Sequence, residues 1–207
     1  ININANKIIC VDNQKEIIRV FNLFKKYDDA FIIDKIENII TRYNLSNSKL
    51  NGYEYYGCNS YNGLGSYNKP YYLNLRNDYN KIGNDTEEKD FLFLTLIIFG
   101  FNNQIRFNSS NEFNMPVGKR DFNLVTKRNL INFVRKTHDI NINFIESDFR
   151  NFNINVNENT FIYCDPPYSL GIASYNENGG WSEQDDIDLY NFLNDLNNKG
   201  LNFALSN

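Results

Sequence analysis

The segment FIYCDPPYSL, residues 161–170, places an acidic residue, two prolines and a tyrosine directly after a short apolar run. The apolar run at 160–165 is typical of a buried strand, and prolines beside a strand usually end it. Asp165 and Tyr168 add a carboxylate and an aromatic face at the same place. The combination indicates a functional loop at the end of a strand.

Two other apolar runs also lead into an aspartate. KIICVD (7–12) ends at Asp12, and INFIESDF (142–149) contains Asp148 close to its end. In an open parallel α/β sheet, ligands bind outside the carboxyl ends of the strands. We therefore expect Asp12, Asp148 and Asp165 to border one crevice. A single aspartate of this kind is as readily a helix N-cap, but three together favour a ligand site.

The remaining segments alternate with these strands. Apolar residues at helical spacing predict helices at 13–27, 30–43, 87–100, 124–138 and 182–200. Ser182 is the predicted N-cap of the last helix, and Gly200 follows its end. A fourth strand is predicted at 201–207. This alternation predicts an α/β fold.

Two segments are predicted to be irregular or hairpin-like. Residues 50–70 are rich in glycine, asparagine and tyrosine, and are predicted to form a loop. Residues 102–118 contain two short runs around SSN (109–111), which predicts a β-hairpin.

Size and composition fit one domain, or one domain with an insertion. The chain has 207 residues, 42% of them hydrophobic and 15% aromatic, which is enough for a packed core. No run approaches the roughly 18 apolar residues of a membrane span. The isolated cysteines Cys10, Cys58 and Cys164 fit neither a zinc site nor a disulfide framework, so we expect a reducing cytoplasm. His138, the single histidine, is expected to be a surface residue.

Charge is distributed unevenly along the chain. The net charge of −4 and the pI of about 5.1 argue against binding nucleic acid by charge alone. Between residues 106 and 136, however, the acids Glu112 and Asp121 are outnumbered by cations, namely Arg106, Lys119, Arg120, Lys127, Arg128, Arg135 and Lys136. This basic segment is either a solvated helix face or a surface that contacts phosphates.

The residues at 165–168 suit one kind of chemistry. Two prolines restrict φ and remove backbone donors, which leaves carbonyl acceptors beside the carboxylate of Asp165. Such acceptors fit the amino group of a base, and Tyr168 offers a face for stacking. Holding both N–H groups would direct the nitrogen lone pair towards an electrophile by alignment and electrostatic preorganisation. The base would have to be flipped out of a duplex, or single-stranded.

These residues carry a resemblance to a known family. DPPY after FIYC resembles the catalytic motif of S-adenosylmethionine-dependent methyltransferases that modify DNA adenine. FGFNNQIRFNSSNEFNMPVGKR (99–120) resembles the target-recognition hairpin of Dam-type adenine methyltransferases, roughly YGYNGLxRYNxxGxFNVPFGRY. KIICVDNQKEIIRVFN, FIESDF and LNFALSN resemble further strands of that family. The similarity spans residues 7–207 in the family's order.

The resemblance implies a Rossmann-like S-adenosylmethionine-dependent methyltransferase core with a helical, hairpin-bearing DNA target-recognition region. The core would comprise residues 1–49 and 139–207, and the recognition region residues 50–138 with its hairpin at 102–118. The family's first strand and its glycine-rich turn have no counterpart here, so we expect a chain truncated at both ends. Asn103 and Gln104 stand where the family commonly has Gly-Leu, which leaves the recognition sequence open.

The resemblance also implies roles for individual residues. Asp12 would accept hydrogen bonds from the cofactor ribose, and Asp148 and Phe149 would flank the cofactor adenine. Asp165 would lie between the cofactor and the target nitrogen, with Pro166, Pro167 and Tyr168 completing the base pocket. The implied DNA contacts are Phe101, Asn102, Gln104, Arg106, Asn108, Lys119 and Arg120. Phe101 would wedge into the duplex, and arginine is well suited to guanine. No metal is required, because a sulfonium is already an activated methyl donor.

The sequence therefore predicts an enzyme that transfers methyl from S-adenosylmethionine to adenine N6 in double-stranded DNA. We expect it in the cytoplasm, in a bacterial restriction–modification or solitary methylation system, with a cognate restriction endonuclease as a functional rather than physical partner. One alternative is a truncated or split module that binds DNA without holding the cofactor. Another is a methyltransferase for RNA or a protein amide, against which the predicted hairpin argues.

Overall fold

The structure, a computed structural model, describes residues 5–152, 157, 159–167 and 181–206. Within these residues the chain forms strands and helices in the order β1 (Ile8–Asp12), α1 (Lys15–Lys26), α2 (Asp29–Arg42), α3 (Ser48–Asn51), α4 (Gly65–Lys81), α5 (Glu87–Phe99), α6 (Leu124–Asp139), β2 (Ile142–Glu146), β3 (Phe161–Cys164), α7 (Glu183–Asn198) and β4 (Asn202–Leu205). Short 3₁₀ turns lie at Glu54–Tyr56 and Phe101–Asn103. The architecture is mixed α/β, as the sequence predicts.

The strands form two parallel pairs. β1 pairs with β2 in a register that sets Asp12 opposite Glu146, and β3 pairs with β4 in a register that sets Cys164 opposite Leu205. Parallel strands need a crossover connection. α7 lies in the crossover of the second pair, whereas the crossover of the first pair contains α1 to α6. Among the described residues the two pairs are separate two-stranded sheets.

The main hydrophobic core is built around α5. Its sequence EEKDFLFLTLIIF buries nine of 13 residues, as expected for a helix surrounded by others. α1, α2 and α4 pack against it, and α6 packs on α1 and α2. One cluster of buried side chains thus runs from Val20 to Val134. Helices on both sides of the predicted boundary at residue 50 share this core.

A second, smaller core joins α7 to the β3–β4 pair. Leu189, Leu193 and Leu196 of α7 pack with Leu201, and strand residues including Ile162 and Phe203 lie against them. Ser182 and Asp185 form a reciprocal capping box at the start of α7, and Gly200 follows its end with φ of 70°. The predicted helix, cap and terminating glycine are confirmed.

The prediction of a loop up to about residue 70 is wrong, because α4 begins at Gly65. Pro70 lies inside this helix, where its missing N–H usually counts against a helix. Tyr72, Leu75 and Tyr79 nevertheless share a buried face. Tertiary burial stabilises most helices in proteins, and here it outweighs the poor local propensity.

The predicted hairpin at 102–118 is irregular. Two isolated antiparallel bridges, Phe107 to Phe113 and Gly100 to Val117, connect its arms. His138 is exposed in the last turn of α6, as predicted. In the described part of the chain, no helix has both the length and the apolar character needed to cross a membrane.

Candidate active site and nucleic-acid interface

Asp12 lies at the carboxyl end of β1, beside the segment that follows β2. It is exposed, and its Oδ1 accepts a hydrogen bond of 2.7 Å from the backbone N–H of Gln14. The N–H of Ser147 donates to the Asp12 carbonyl at 3.1 Å. Asp148 is the next residue, so these two predicted site residues lie at the same edge of the first strand pair.

Arg150 connects this edge to α7. The Asp148 carboxylate accepts a hydrogen bond of 2.8 Å from the backbone N–H of Arg150 and one of 3.0 Å from Arg150 Nη1. Nε of Arg150 donates to Asp188 at 2.6 Å, and Nη2 donates to Asp185. Because α7 packs on β3 and β4, Arg150 ties the two strand pairs together.

The charges around Arg150 shift the pKa values of its α7 partners. The Ser182 hydroxyl, the Ser182 N–H and Arg150 together lower the pKa of Asp185 to about 2. Hydrogen bonds from Arg150 and then Gln184 lower the pKa of Asp188. These groups are therefore ionised at neutral pH, and their ion pairs are exposed to solvent at their edges.

Phe149 packs against Arg150, Trp181 and α7. The Arg150 guanidinium lies 4.6 Å from the centre of the Phe149 ring. The ring centres of Trp181 and Phe192 lie 6.0 Å and 5.9 Å from it. The ring thus contributes to the smaller core. The resemblance implies that Phe149 flanks a cofactor adenine, and this stays a prediction, because the ring is only half-buried by these contacts.

Asp165 follows β3 directly and is exposed. Its Oδ1 accepts a hydrogen bond from the Ser206 hydroxyl, and the Ser206 N–H donates to the Cys164 carbonyl at 3.0 Å. The parallel register explains this contact, since Cys164 faces Leu205 and the next residues of both strands adjoin. Pro166 is half-buried and Pro167 is exposed. Tyr168 lies outside the described residues.

Ser206 is a site residue that the sequence analysis missed. The signal was present in LNFALSN, because a strand parallel to β3 must end beside Asp165. The convergence of Asp165 with Asp12 and Asp148 stays a prediction, because the observed link between the two edges is indirect, through Arg150, Phe149 and α7.

Residues 99–120, here called the hairpin arm, begin at a sharp corner after α5. Asn102 and Asn103 adopt left-handed backbone conformations with φ of 51° and 56°, which asparagine tolerates better than most residues. The Asn103 side chain donates to the Ile97 and Ile98 carbonyls at the end of α5. The Phe101 N–H donates to the Pro116 carbonyl at 2.9 Å, while its side chain is 45% exposed. A restrained corner therefore presents an exposed aromatic ring.

α4 holds the second half of the hairpin arm. The Tyr72 hydroxyl donates to the Met115 carbonyl at 3.2 Å. Arg76 donates to the Asn114 and Met115 carbonyls at 3.4 Å. Asn80 exchanges two hydrogen bonds with the backbone of Phe113, at 3.0 and 2.9 Å. These α4 residues are spaced by four, so the helix that the sequence failed to predict supports the arm along one face.

Arg106 is oriented by Asn114. Its Nε donates to Asn114 Oδ1 at 2.7 Å, and its Nη2 donates to the Asn114 carbonyl at 3.1 Å. The Nη1 hydrogens have no partner in the part of the chain that the structure describes. A guanidinium has five donors in a rigid fork, so Arg106 retains donors for another molecule.

The other predicted DNA contacts differ in their surroundings. The Asn108 side chain accepts from the N–H groups of Ser110 and Glu112 and donates to the Glu112 carboxylate, so its bonds shape the turn. Gln104 is half-buried, and its Oε1 is buried with no donor among the described residues. Asn102, Lys119 and Arg120 are exposed.

A comparison with known proteins agrees with this mixed α/β architecture. Residues 2–207 match the family described as D12 class N6 adenine-specific DNA methyltransferase. The chain therefore belongs to this family, and the predicted kinship with adenine methyltransferases is confirmed.

Individual relatives extend the comparison. The chain is 36% identical over 214 residues to the type II methyltransferase M.FokI of Planomicrobium okeanokoites, covering 100% of this chain and 29% of that protein. It is 31% identical over 214 residues to the modification methylase StsI of Streptococcus sanguinis, with the same coverage. A DNA adenine methylase of Haemophilus influenzae is 28% identical over 170 residues, covering 82% of this chain and 50% of that protein. The chain thus spans less than a third of the first two relatives.

Proposed function

We propose that this chain transfers a methyl group from S-adenosylmethionine to N6 of an adenine flipped out of duplex DNA. The observation that carries the proposal is the exposed carboxylate of Asp165, held by Ser206 at the end of a parallel strand, in a chain of the adenine-specific family. The carboxylate is restrained and still open to solvent.

The chemistry follows from the acceptors at 165–167. S-adenosylmethionine would supply a methyl group activated by its sulfonium: its S–CH3 bond would break to leave a neutral thioether, and N6 would release one proton to solvent. The Asp165 carboxylate and the Pro166 carbonyl accept hydrogen bonds from the N6 amino group, which directs the nitrogen lone pair towards that methyl. Pro167 keeps the turn stiff, since its ring restricts φ. Tyr168 is proposed to stack on the flipped base.

The residues at the first strand edge fit the cofactor to different degrees. Asp12 is exposed, and only the hydrogen bond from Gln14 engages its carboxylate among the described residues. A carboxylate has about four acceptor positions, so Asp12 can also accept from two ribose hydroxyls. Asp148 borders the same edge, held by Arg150. The contacts of Phe149 with α7 support a role in packing beside the cofactor site more than stacking on it.

The two strand pairs support a Rossmann-like core. In the doubly wound fold the strands are ordered 3-2-1-4-5 across the sheet, so strand 1 of that fold lies between its strands 2 and 4. A strand lying between β1 and β3 would join the two observed pairs into one such sheet. We assign this core to residues 1–49 and 139–207, and the target-recognition region to residues 50–138.

The hairpin arm supplies the DNA contacts in this proposal. Phe101 can act as an apolar wedge between base steps, and Arg106 can donate to a guanine edge. Asn102, Gln104, Lys119 and Arg120 complete the contact surface. Asn108 supports it by shaping the turn.

The test is to incubate the protein with tritium-labelled S-adenosylmethionine and, in parallel reactions, with duplex DNA, RNA or a protein mixture, and then to identify the labelled nucleoside or side chain. Label in N6-methyladenine supports the proposal. Label in RNA or in protein amides would support the alternative enzyme classes instead. Calorimetry with the cofactor separates the remaining alternative, because a module that only binds DNA would give no heat of cofactor binding.

The biological setting is proposed from the same family. Relatives named as a type II methyltransferase and a modification methylase favour a restriction–modification system over a solitary enzyme, with a cognate endonuclease acting on the same DNA site. Sequencing the DNA of a host that expresses the protein would reveal the methylated base and its flanking sequence. A methylated site that no endonuclease of the source cleaves would favour the solitary enzyme.

A further inference from the structure

Tyrosines are concentrated in one part of the chain to which no individual contact with cofactor or DNA has been assigned above. Half of the 14 tyrosines fall within residues 45–72. Four of them lie in residues 53–64, here called the tyrosine loop, which connects α3 to α4. Tyr55 is 72% exposed and Tyr61 is 90% exposed. These two rings therefore add little to the hydrophobic stabilisation of the fold.

The tyrosine loop is nevertheless well anchored. The Tyr56 hydroxyl accepts hydrogen bonds of 2.8 Å from the Asn47 N–H and from the Asn51 side chain. Its ring lies 4.5 Å from that of Tyr67 in α4. The loop therefore presents Tyr55 and Tyr61 from a held backbone, which limits the entropy lost when these side chains bind a partner.

Close backbone contacts place the tyrosine loop against the hairpin arm. The Leu64 N–H donates to the Lys119 carbonyl at 2.8 Å, and a Cβ added at Gly63 would lie 2.6 Å from the same oxygen. On the other side of this segment, the Gly118 N–H donates to the Phe99 carbonyl at 2.7 Å. The backbones of the tyrosine loop, the end of the arm and the corner that carries Phe101 thus lie side by side, each about 5 Å from the next.

Positive charge lies along the same surface. Lys119 and Arg120 are exposed at the end of the hairpin arm, and Lys49 is exposed in α3. Asp121, which follows Arg120, is 1% exposed and accepts hydrogen bonds from the Ser48 N–H and hydroxyl at 2.6 and 2.9 Å. This contact joins the two segments at the residues next to Lys49 and Arg120. Glu54 is the one acidic residue of the tyrosine loop.

We propose that Tyr55, Tyr61 and Lys49 form a second contact surface for duplex DNA, on the backbone flanking the site read by the hairpin arm. Tyrosine hydroxyls and lysines are common donors to phosphate oxygens, and the excess of cations favours a polyanion over a protein partner. This inference rests on the proposed function for its choice of DNA, and it adds a surface outside the residues predicted to contact DNA.

The test measures binding of the full chain to a fluorescent duplex of about 30 base pairs, roughly three helical turns, at several salt concentrations. The double substitution Tyr55→Ala/Tyr61→Ala is expected to weaken binding about tenfold. Lys49→Gln is expected to reduce the slope of log affinity against log salt by about 0.9. The matched controls are Tyr190→Ala and Lys199→Gln, both exposed on or just after α7, and these should bind as the wild type does.

Wild-type affinity and an unchanged salt slope in the tyrosine and lysine variants would overturn the proposal. Unchanged DNA binding together with altered self-association in sedimentation would instead assign the surface to a protein partner. Methylation is measured separately. Loss of DNA affinity in the variants supports the surface even if the wild type modifies no adenine, whereas a wild type that methylates adenine with no contribution from these residues refutes the surface alone.

Discussion

The hairpin arm and strand β3, which leads to Asp165, are held in very different ways. Phe107 and Phe113 of the arm are buried against α5 and α4, and α4 bonds to its backbone at three residues. In β3, by contrast, Phe161 and Tyr163 are 64% and 63% exposed, and the Ser206 hydroxyl is what holds the Asp165 side chain. The arm is thus rigidly preorganised by a large core, whereas the Asp165 carboxylate depends on a few local contacts among the described residues.

This contrast predicts that substitutions in the arm core act on stability, while those near Asp165 act on the chemical step. Because the arm is already rigid, little of the free energy of DNA binding is spent on ordering it. A carboxylate that one side chain restrains, among the residues that the structure describes, can be disturbed without unfolding the protein. The following substitutions test each half of the contrast.

Phe113→Ala is expected to have the largest effect on stability. Phe113 is fully buried, and its ring lies within 5.6 Å of the rings of Phe93 and Phe107. Truncating a buried phenylalanine costs about 3–5 kcal/mol of unfolding free energy, which is measurable by urea denaturation. The matched control is Phe101→Ala, because Phe101 is 45% exposed and should cost less than about 1 kcal/mol. Equal losses in the two variants would show that the arm is not built on the core.

Ser206→Ala is expected to act on catalysis with little effect on stability. It removes the hydroxyl that donates to Asp165, and hydrogen bonds to charged groups are worth about 1.5–3 kcal/mol. We therefore expect kcat to fall about tenfold or more, while the Kd for DNA stays within about twofold of the wild type. Ser206→Thr keeps the hydroxyl and should retain most of the activity. A rise in KM with kcat unchanged would mean that Ser206 does not position the carboxylate.

Arg150→Gln is expected to have the smallest effect, and the effect should depend on pH. Ser182 and then Arg150 lower the pKa of Asp185 to about 2, and Arg150 is the largest cause of the lowered pKa of Asp188, so both ion pairs with Arg150 stabilise the fold above the ordinary carboxyl pKa near 4. This contribution is lost as pH falls through the lowered values. The Tm of the variant should therefore lie below that of the wild type at pH 7, and the two should converge as pH falls towards 2. A gap in Tm that stays constant to pH 2 would contradict this, and Lys199→Gln serves as the control.

Much of the fold could be read from apolar spacing. α1, α2, α5, α6 and α7 and the four strands lie close to their predicted positions, because each carries an apolar run or apolar residues at helical spacing. α4 could not be predicted, since GSYNKPYYLNLRNDYNK has weak periodicity and an internal proline. Its helical state depends on burying Tyr72, Leu75 and Tyr79 against partners distant in sequence.

The positions of candidate site residues could be predicted where an aspartate stands at the end of an apolar strand. The positions of Asp12 and Asp165 followed from that rule. Ser206 and Arg150 were not predicted, because each contacts residues of a segment distant in sequence, and no local sequence pattern encodes such a contact. In the sequence, Asp121 is one of two acids in the basic segment, but it is buried and accepts hydrogen bonds from Ser48.

The central claim is that the exposed carboxylate after β3 drives methyl transfer independently of the arm that binds DNA. Single-turnover transfer to duplex DNA by Asp165→Asn, measured beside the duplex Kd of the same variant, tests it most directly. We predict a fall in the transfer rate of at least about a hundredfold, as for loss of a preorganised electrostatic contact, with the Kd within about twofold of the wild type. Transfer at nearly the wild-type rate by Asp165→Asn would contradict the account.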